Sequence, residues 1–258
     1  MTIKTQRLLV RAKKIAKKGE IEEARKLYTS ILKDSPHNEE AKNSLLSLDL
    51  VKDQLDPPKA EVDSIIALYN NGQMQEALDA VETLTKDYPN AALLFNLSGV
   101  CFKAIGQRDA AVKSFEKALA IKPDYAEVCY NLGITLRELG QFDDAIKSYE
   151  KALTIKHAYP NAHNNLGNIL LELRQLDTAV DHFEWAVAYK PEFSEAYNNL
   201  GITLRALGQP DAAVKHYEKA IAYKPDYAQA HNNLGNALKE LGERNAAVKS
   251  FEKALAIQ

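Results

Sequence analysis

The chain has 258 residues, of which 46% are apolar and 26% are charged, an ordinary composition for a soluble protein. Its net charge of −2 at pH 7 argues against nucleic acid as the main partner. No apolar run approaches the roughly 18 residues that a membrane-spanning helix needs, and two cysteines do not make a disulfide framework. The composition therefore predicts a protein of the reducing cytoplasm with no integral membrane segment.

The first 55 residues predict a pair of helices followed by one more helix. Gly19 is placed to end the first helix in a left-handed residue, and Pro36 stops the second. Residues 39–55 carry a further apolar stripe, which two consecutive prolines then break. We interpret residues 1–55 as a repeat-like pair with an inserted helix, and residues 56–91 as a linker and a degenerate repeat.

From residue 92 onward the sequence repeats itself every 34 residues, which is the signature of a stacked helical array. The predicted units span 92–125, 126–159, 160–193, 194–227 and 228–258. Each carries a glycine in the middle of its first helix: Gly99, Gly133, Gly167, Gly201 and Gly235. Because such a glycine costs about 1 kcal/mol relative to alanine, we expect another backbone to approach closely there. The N-caps expected for the second helices are Asp109, Asp144, Asp177, Asp211 and Asn245.

The spacing and residue types resemble the tetratricopeptide repeat, in which Leu-Gly is followed by alanine, an aromatic residue and proline at fixed distances. The motif Asn-Asn-Leu-Gly at residues 164–167 is one instance, and the resemblance covers nearly the whole chain. It implies an all-α, right-handed superhelix, a solenoid of about seven antiparallel helix pairs with an inserted helix near the N-terminus. It also implies a concave groove lined by the first helices, which in this family binds peptides or proteins.

Helical geometry places one set of first-helix side chains opposite the core, and by the family resemblance this face is the groove. Its most regular feature is a ladder of Asn131, Asn165, Asn199 and Asn233. An asparagine amide can donate to one backbone carbonyl and accept from one backbone N–H, so the ladder predicts side-chain-independent binding of an extended peptide. The ladder resembles that of the tetratricopeptide region of O-linked N-acetylglucosamine transferase. The alternative is a solvated or solenoid-shaping role for these asparagines.

Further groove residues are predicted beside the ladder. They are the amides Asn168 and Asn236, the cations Arg137, Arg205 and Lys239, and the apolar side chains Ile134 and Ile202. Family members that clamp acidic C-terminal tails need a lysine beside the first asparagine. The regular repeats hold asparagine or tyrosine there, so we do not expect them to bind such a tail.

The unit at 92–125 departs from this pattern, because Leu93, Leu97 and Val100 take its groove slots. A helix that is apolar all round is expected to be buried all round. The inserted helix at 39–55 is one candidate for the cover, and a partner protein or a second copy of the chain is another. The third interpretation is an apolar patch that nothing covers.

No catalytic set, metal site or cofactor motif is predicted. Cys129 and His163 occupy equivalent core slots, where packing is the expected role rather than nucleophilic catalysis. His182 and His216 also occupy equivalent slots, but two histidines are too few for a structural zinc site.

The predicted function is a non-enzymatic scaffold that binds a protein or peptide. One alternative is the substrate-recruiting front of a larger enzyme, since regular repeats after a divergent start resemble those preceding glycosyltransferase or sulfotransferase domains in bacterial proteins. No polar closing helix follows Gln258, which fits that alternative. A third is self-assembly into a homo-oligomer. The basic start, Lys4 to Lys18, is interpreted as the solvated face of a first helix.

Overall fold

The computed structural model describes residues 3–18, 20–52 and 56–257, and every regular element in these ranges is an α-helix. The helices are α1 (Ile3–Lys17), α2 (Ile21–Asp34), α3 (Glu39–Lys52), α4 (Lys59–Asn70), α5 (Met74–Asp87), α6 (Ala92–Ala104), α7 (Arg108–Ile121), α8 (Ala126–Glu138), α9 (Phe142–Ile155), α10 (Pro160–Glu172), α11 (Leu176–Tyr189), α12 (Ser194–Ala206), α13 (Pro210–Tyr223), α14 (Ala228–Glu240) and α15 (Arg244–Ile257). Consecutive helices pack in pairs, such as α8 with α9 and α12 with α13. The predicted all-α array of helix pairs is confirmed. None of the described helices is long and apolar enough to cross a membrane.

Left-handed residues end the first helices, as predicted for Gly140. Its φ is +74°, and Gly208 takes the same slot with φ +74°. Arg174 occupies this slot in the repeat between them and adopts φ +61°. An L-residue pays about 1–2 kcal/mol for this conformation, whereas glycine adopts it freely. The equivalent prediction for Gly19 lies outside the described residues.

The predicted N-caps of the second helices are wrong. In three repeats the N-cap is a glutamine whose side chain makes no capping hydrogen bond: Gln141, Gln175 and Gln209. Each predicted cap lies inside the first turn instead: Asp109, Asp144, Asp177, Asp211 and Asn245. The four aspartates are favourable there because a negative charge stabilises the N-terminal end of a helix dipole.

The mid-helix glycines are explained by aromatic rings rather than by a neighbouring backbone. A Cβ atom added to Gly201 would lie 2.6 Å from the ring of Tyr217, and one added to Gly167 would lie 2.8 Å from the ring of Phe183. Both rings are fully buried. The close approach was therefore predicted correctly, but the approaching group was not.

The chain divides into two compact units, Met1–Ala110 and Ala111–Gln258. The predicted divisions at residues 55/56 and 91/92 stay predictions. In the first unit, helices α1, α2 and α3 enclose an apolar cluster that includes Tyr28 and Leu48. A separate cluster is formed by side chains of α4, α5 and α6.

The apolar stripe of α3 is already used within the first of these clusters. Its Ala41 and Leu48 are buried there, with Leu45 packed against them. Leu97, in contrast, is half-buried against the cluster of α4, α5 and α6. Within the described residues Leu97 packs against its own and the preceding repeat, and the prediction that the inserted helix covers it stays a prediction.

In the second unit the first helices of successive repeats lie side by side, α8 with α10, α10 with α12 and α12 with α14. Small buried side chains also lie where one repeat meets the next, since Ala220 of α13 and Ala230 of α14 belong to one buried cluster. Side chains at equivalent positions of these four helices are consequently neighbours on one surface.

Candidate peptide-binding face

The four asparagines Asn131, Asn165, Asn199 and Asn233 form what we call the asparagine ladder. They lie on α8, α10, α12 and α14, and each is half-buried. Because these helices are adjacent, the structure brings the ladder residues onto one surface of the second unit.

Ladder amides donate hydrogen bonds to the first helix of the preceding repeat. The Nδ2 of Asn165 donates to the hydroxyl of Tyr130 at 3.2 Å, and the Nδ2 of Asn233 donates to Asn198 Oδ1 at 2.9 Å. Asn199 Nδ2 makes two such bonds. One goes to Asn164 Oδ1 at 3.2 Å and the other to Asn168 Oδ1 at 2.9 Å.

Two of the acceptors are themselves buried, with Asn164 only 2% exposed and Asn198 0%. Leaving a buried amide oxygen without a donor would cost about 1–3 kcal/mol. Asn199 and Asn233 therefore stabilise the stacking of repeats, in agreement with the solenoid-shaping alternative, although their buried acceptors were not predicted. The signal was present in the doubled Asn-Asn motif, whose first residue is the buried acceptor.

In Asn165, Asn199 and Asn233 the carbonyl oxygens are used less than the amide N–H groups. Of these oxygens, only Oδ1 of Asn199 accepts a hydrogen bond from a described residue, Asn198 Nδ2 at 3.5 Å. No hydrogen bond from any described residue reaches Oδ1 of Asn165 or Asn233. Each oxygen has two lone pairs and lies on a half-buried side chain. This surface therefore offers hydrogen-bond acceptors.

The predicted cations at the edge of this face are mostly paired. Arg137 forms a short ion pair with Glu172 of the next repeat, and Arg205 lies 3.8 Å from Glu240. Such partly exposed pairs contribute about 0–1 kcal/mol each to stability. Lys239, in the equivalent slot of the last repeat, is exposed and has no ion pair with a described residue.

The remaining predicted residues fall into two places. Ile134, Ile202 and Asn236 are half-buried on the same first helices as the ladder. The apolar set of Leu93, Leu97 and Val100 lies on α6 in the other unit, and all three side chains are half-buried.

Two tyrosines lie beneath the charged edge. The hydroxyls of Tyr149 and Tyr217 are buried; that of Tyr149 lies near the Asn165 amide, and that of Tyr217 has no hydrogen-bond partner among the described residues. Burial raises the pKa of Tyr217 to about 12, although the nearby Arg205 opposes the shift, and burial raises the pKa of Tyr149 as well. Both phenols therefore stay neutral at physiological pH.

A histidine cluster outside this face was also missed. Nδ1 of His163 lies 3.0 Å from Nδ1 of His182, and its Nε2 lies 3.2 Å from the carbonyl oxygen of His157. A carbonyl only accepts, so Nε2 of His163 carries the proton and His182 Nδ1 donates to His163 Nδ1. Burial, and next the neighbouring His182, lower the pKa of His163 to about 4.

These contacts give His163 a packing role. Its ring lies 5.8 Å from Tyr189, and the exposed Trp185 stacks on Tyr189 at 5.7 Å. Burial raises the pKa of the Cys129 thiol, which disfavours the thiolate that a nucleophile needs. Within the described ranges, no group of three or more candidate metal ligands occurs.

Models of one repeat family match this sequence. Four of them, described as TPR or tetratricopeptide repeat, match residues 104–147, 135–174 with 203–242, 164–208 and 228–258. Among curated protein sequences, none matches the chain.

Several solved structures are similar. A crystal structure of MamA is 31% identical with a TM-score of 0.59, over 62% of this chain and 93% of that chain. YrrB, described as a TPR protein with an unusual peptide-binding site, is 22% identical with a TM-score of 0.62, over 70% and 93%. Pseudomonas aeruginosa PilF is 18% identical with a TM-score of 0.67, over 74% and 87%.

The likeness to YrrB and PilF is one of fold alone, whereas MamA is similar in sequence over almost its full solved length. Together with the period of 34 residues and the paired helices, these matches lead to one conclusion. The chain belongs to the tetratricopeptide repeat family.

Proposed function

We propose that this protein is a non-catalytic interaction scaffold that holds an extended peptide segment across the first helices of residues 126–258. The observation that carries the proposal is that the ladder asparagines use their two amide groups differently. The amide N–H groups of Asn165, Asn199 and Asn233 bind the preceding first helix, while Oδ1 of Asn165 and Asn233 receive no hydrogen bond from described residues. Backbone N–H groups of an extended segment are suitable donors to these oxygens, whatever its side chains.

Side-chain preference would come from the residues beside the ladder. Ile134 and Ile202 are half-buried and would contact apolar side chains of the segment. Arg137 and Arg205 are already paired with glutamates, so we give them a smaller part than Lys239. The reported peptide-binding site of YrrB, a protein of similar fold, supports the proposal at the level of the fold. The two free cysteines fit the cytoplasmic setting that we propose with it.

The proposal is tested with a peptide selected by the purified chain from a random displayed library. N-methylation of single backbone amides removes one N–H donor at a time. At the positions opposite the ladder we expect about tenfold weaker binding by fluorescence anisotropy, or about 1.4 kcal/mol. Loss of affinity on side-chain truncation alone, with every N-methyl peptide binding normally, would contradict the proposal.

A protein variant completes the test. Asn165→Ala combined with Asn233→Ala should abolish binding of the selected peptide, and should also cost about 1–3 kcal/mol of stability because Asn198 loses its donor. Ala213→Gly is the matched control: it costs about 1 kcal/mol within buried α13 and leaves the ladder intact. Binding that survives the double change, or that disappears equally in the control, counts against a role for the ladder.

A further inference from the structure

The three N-terminal helices form a concavity that the proposed function does not use. Side chains of α1, α2 and α3 line a pocket of about 550 Å³, within the roughly 300–1,000 Å³ typical of ligand sites. We call it the N-terminal pocket. The residues that matter here are Val10, Lys13, Lys14, Lys17, Tyr28 and Leu48.

The floor of the N-terminal pocket is apolar. Tyr28 and Leu48 are 2% and 7% exposed and belong to the core cluster of these helices. Val10, in contrast, is 66% exposed although it lines the same concavity. An exposed branched aliphatic residue above a buried aromatic residue provides a contact surface for one apolar side chain of a ligand.

The rim of the pocket is positively charged. Lys13 is neutralised by a short ion pair with Glu40 of α3. Lys14 and Lys17 are exposed and form no ion pair with any described residue. Two ammonium groups with no ion-pair partner in the described ranges, beside an apolar floor, favour a ligand that combines carboxylates with an apolar group.

We propose that the N-terminal pocket binds an acidic amphipathic peptide segment, with one apolar side chain on Val10 and Leu48 and its carboxylates on Lys14 and Lys17. A peptide is favoured over an anionic membrane because the apolar contact lies inside a concavity. A flat bilayer surface would meet the lysines and leave the floor empty. This site is separate from the asparagine ladder and would give the chain a second, chemically distinct partner.

The experiment uses the full chain and a fluorescein-labelled peptide, Gly-Asp-Leu-Glu-Phe-Asp-Leu-Glu, measured by anisotropy at low salt. Lys14→Glu with Lys17→Glu should weaken binding by about tenfold or more, which corresponds to about 1.4 kcal/mol. The matched control is Lys26→Glu with Lys33→Glu on α2, which makes the same charge change outside the pocket and should alter affinity less than about twofold. Circular dichroism checks that both variants keep the wild-type helix content.

Two further measurements test whether the apolar floor contributes to binding and whether the peptide binds in the N-terminal pocket rather than on the asparagine ladder. Val10→Ser, and a peptide with serine in place of leucine and phenylalanine, should each lower affinity. The Asn165→Ala, Asn233→Ala variant should bind this peptide like wild type, so failure of the pocket proposal is distinguishable from failure of the ladder proposal.

Three results would overturn the inference. The first is no saturable binding by the wild-type chain, and the second is an equal loss in the two lysine variants. The third is tight binding to phosphatidylserine vesicles that the peptide does not compete for, which would assign the lysines to a membrane surface.

Discussion

The N-terminal helices and the regular repeats share the same packing of paired helices but differ in the residues on the exposed face of the first helix. Tyr28 of α2 and Tyr149 of α9 share a slot, and both rings are buried. Val10 of α1 shares a slot with the ladder residue Asn131, yet Val10 is 66% exposed and apolar. The positions that pack the two helices of a pair therefore keep the same residue type along the chain. The positions on the exposed face of the first helix do not.

The residues that hold each helix pair together are therefore different from those to which we assign partner binding. Each repeat contacts only its neighbours, so changing a lining residue has a local effect on stability. The N-terminal pocket presents the exposed ammonium groups of Lys14 and Lys17, whereas the ladder presents amide oxygens. One chain can therefore present two chemically distinct surfaces on the same architecture.

The largest expected effect breaks the packing that the two regions share. Gly201→Val would push a branched side chain into the ring of Tyr217, 2.6 Å from where its Cβ would lie. We expect a loss of about 3 kcal/mol in the free energy of unfolding, measured by urea denaturation followed by circular dichroism.

The N-terminal helices supply the contrast to Gly201. Ala12 takes the glycine slot in α1, where Tyr28 leaves space for a methyl group. Ala12→Gly should therefore cost only about 1 kcal/mol, mainly from helix propensity. A Gly201→Val variant as stable as wild type would show that the ring of Tyr217 moves aside freely.

An intermediate effect is expected in the pH dependence of stability, to which histidines of the later repeats contribute and the equivalent N-terminal leucines do not. Leu8 and Leu27 occupy in the N-terminal pair the slots of His163 and His182. Burial lowers the pKa of His163 from 6.5 to about 4, so the folded state favours the neutral ring. As the pH falls below 6.5, His163 binds a proton in the unfolded chain but stays neutral in the folded chain. The contribution of His163 to the free energy of unfolding is therefore fully present above pH 6.5 and is lost as the pH falls towards 4.

The matched variant carries the N-terminal residues into the later repeat, His163→Leu with His182→Leu. It should flatten the decline in stability between pH 7 and pH 5 that the wild-type chain shows in urea denaturation. The pKa of His182 is also lowered by burial, so both rings contribute in the same direction. An unchanged pH dependence in the variant would place the titrating groups elsewhere.

The smallest expected change in stability comes from replacing the one non-glycine residue in the described ranges that ends a first helix in the left-handed conformation. Arg174 adopts φ +61° in the slot where Gly140 and Gly208 end their helices. Arg174→Gly relieves the left-handed strain and should raise stability by about 0.5–1 kcal/mol, after the entropy cost of glycine is subtracted. Thermal unfolding would record this as a higher Tm, and a lower Tm would mean that the arginine side chain contributes more than the strain costs.

The repeat period and the residue types were enough to predict the helix pairs, the left-handed glycines and the close approach at Gly201. The partners of the ladder could not be predicted in the same way. Asn199 bonds to Asn164 and Asn168, residues 35 and 31 positions earlier, and this register depends on how adjacent first helices are shifted. Sequence spacing alone does not determine that shift.

The interruption of the ladder at Leu97 has a related explanation. In later repeats the ladder residue donates to an acceptor on the preceding first helix, such as Asn198 for Asn233. The acceptor slot before Leu97 holds Val62, which is apolar and 7% exposed. A leucine suits an apolar predecessor, whereas an asparagine there would leave its amide without a partner. The apolar neighbour Val62 thus gives a packing reason for a leucine at position 97, while the predicted binding role of this patch stays a prediction.

Trp185 is the only tryptophan in the sequence, and it stacks on Tyr189 at the surface of the repeat 160–193. Intrinsic tryptophan fluorescence consequently monitors one repeat of the second unit, whereas far-UV circular dichroism monitors helices throughout the chain. Because stability in a repeat array is a sum of local terms, the two optical signals need not change together. Comparing their denaturation curves turns a single indole ring into a built-in reporter of how far unfolding spreads along the array.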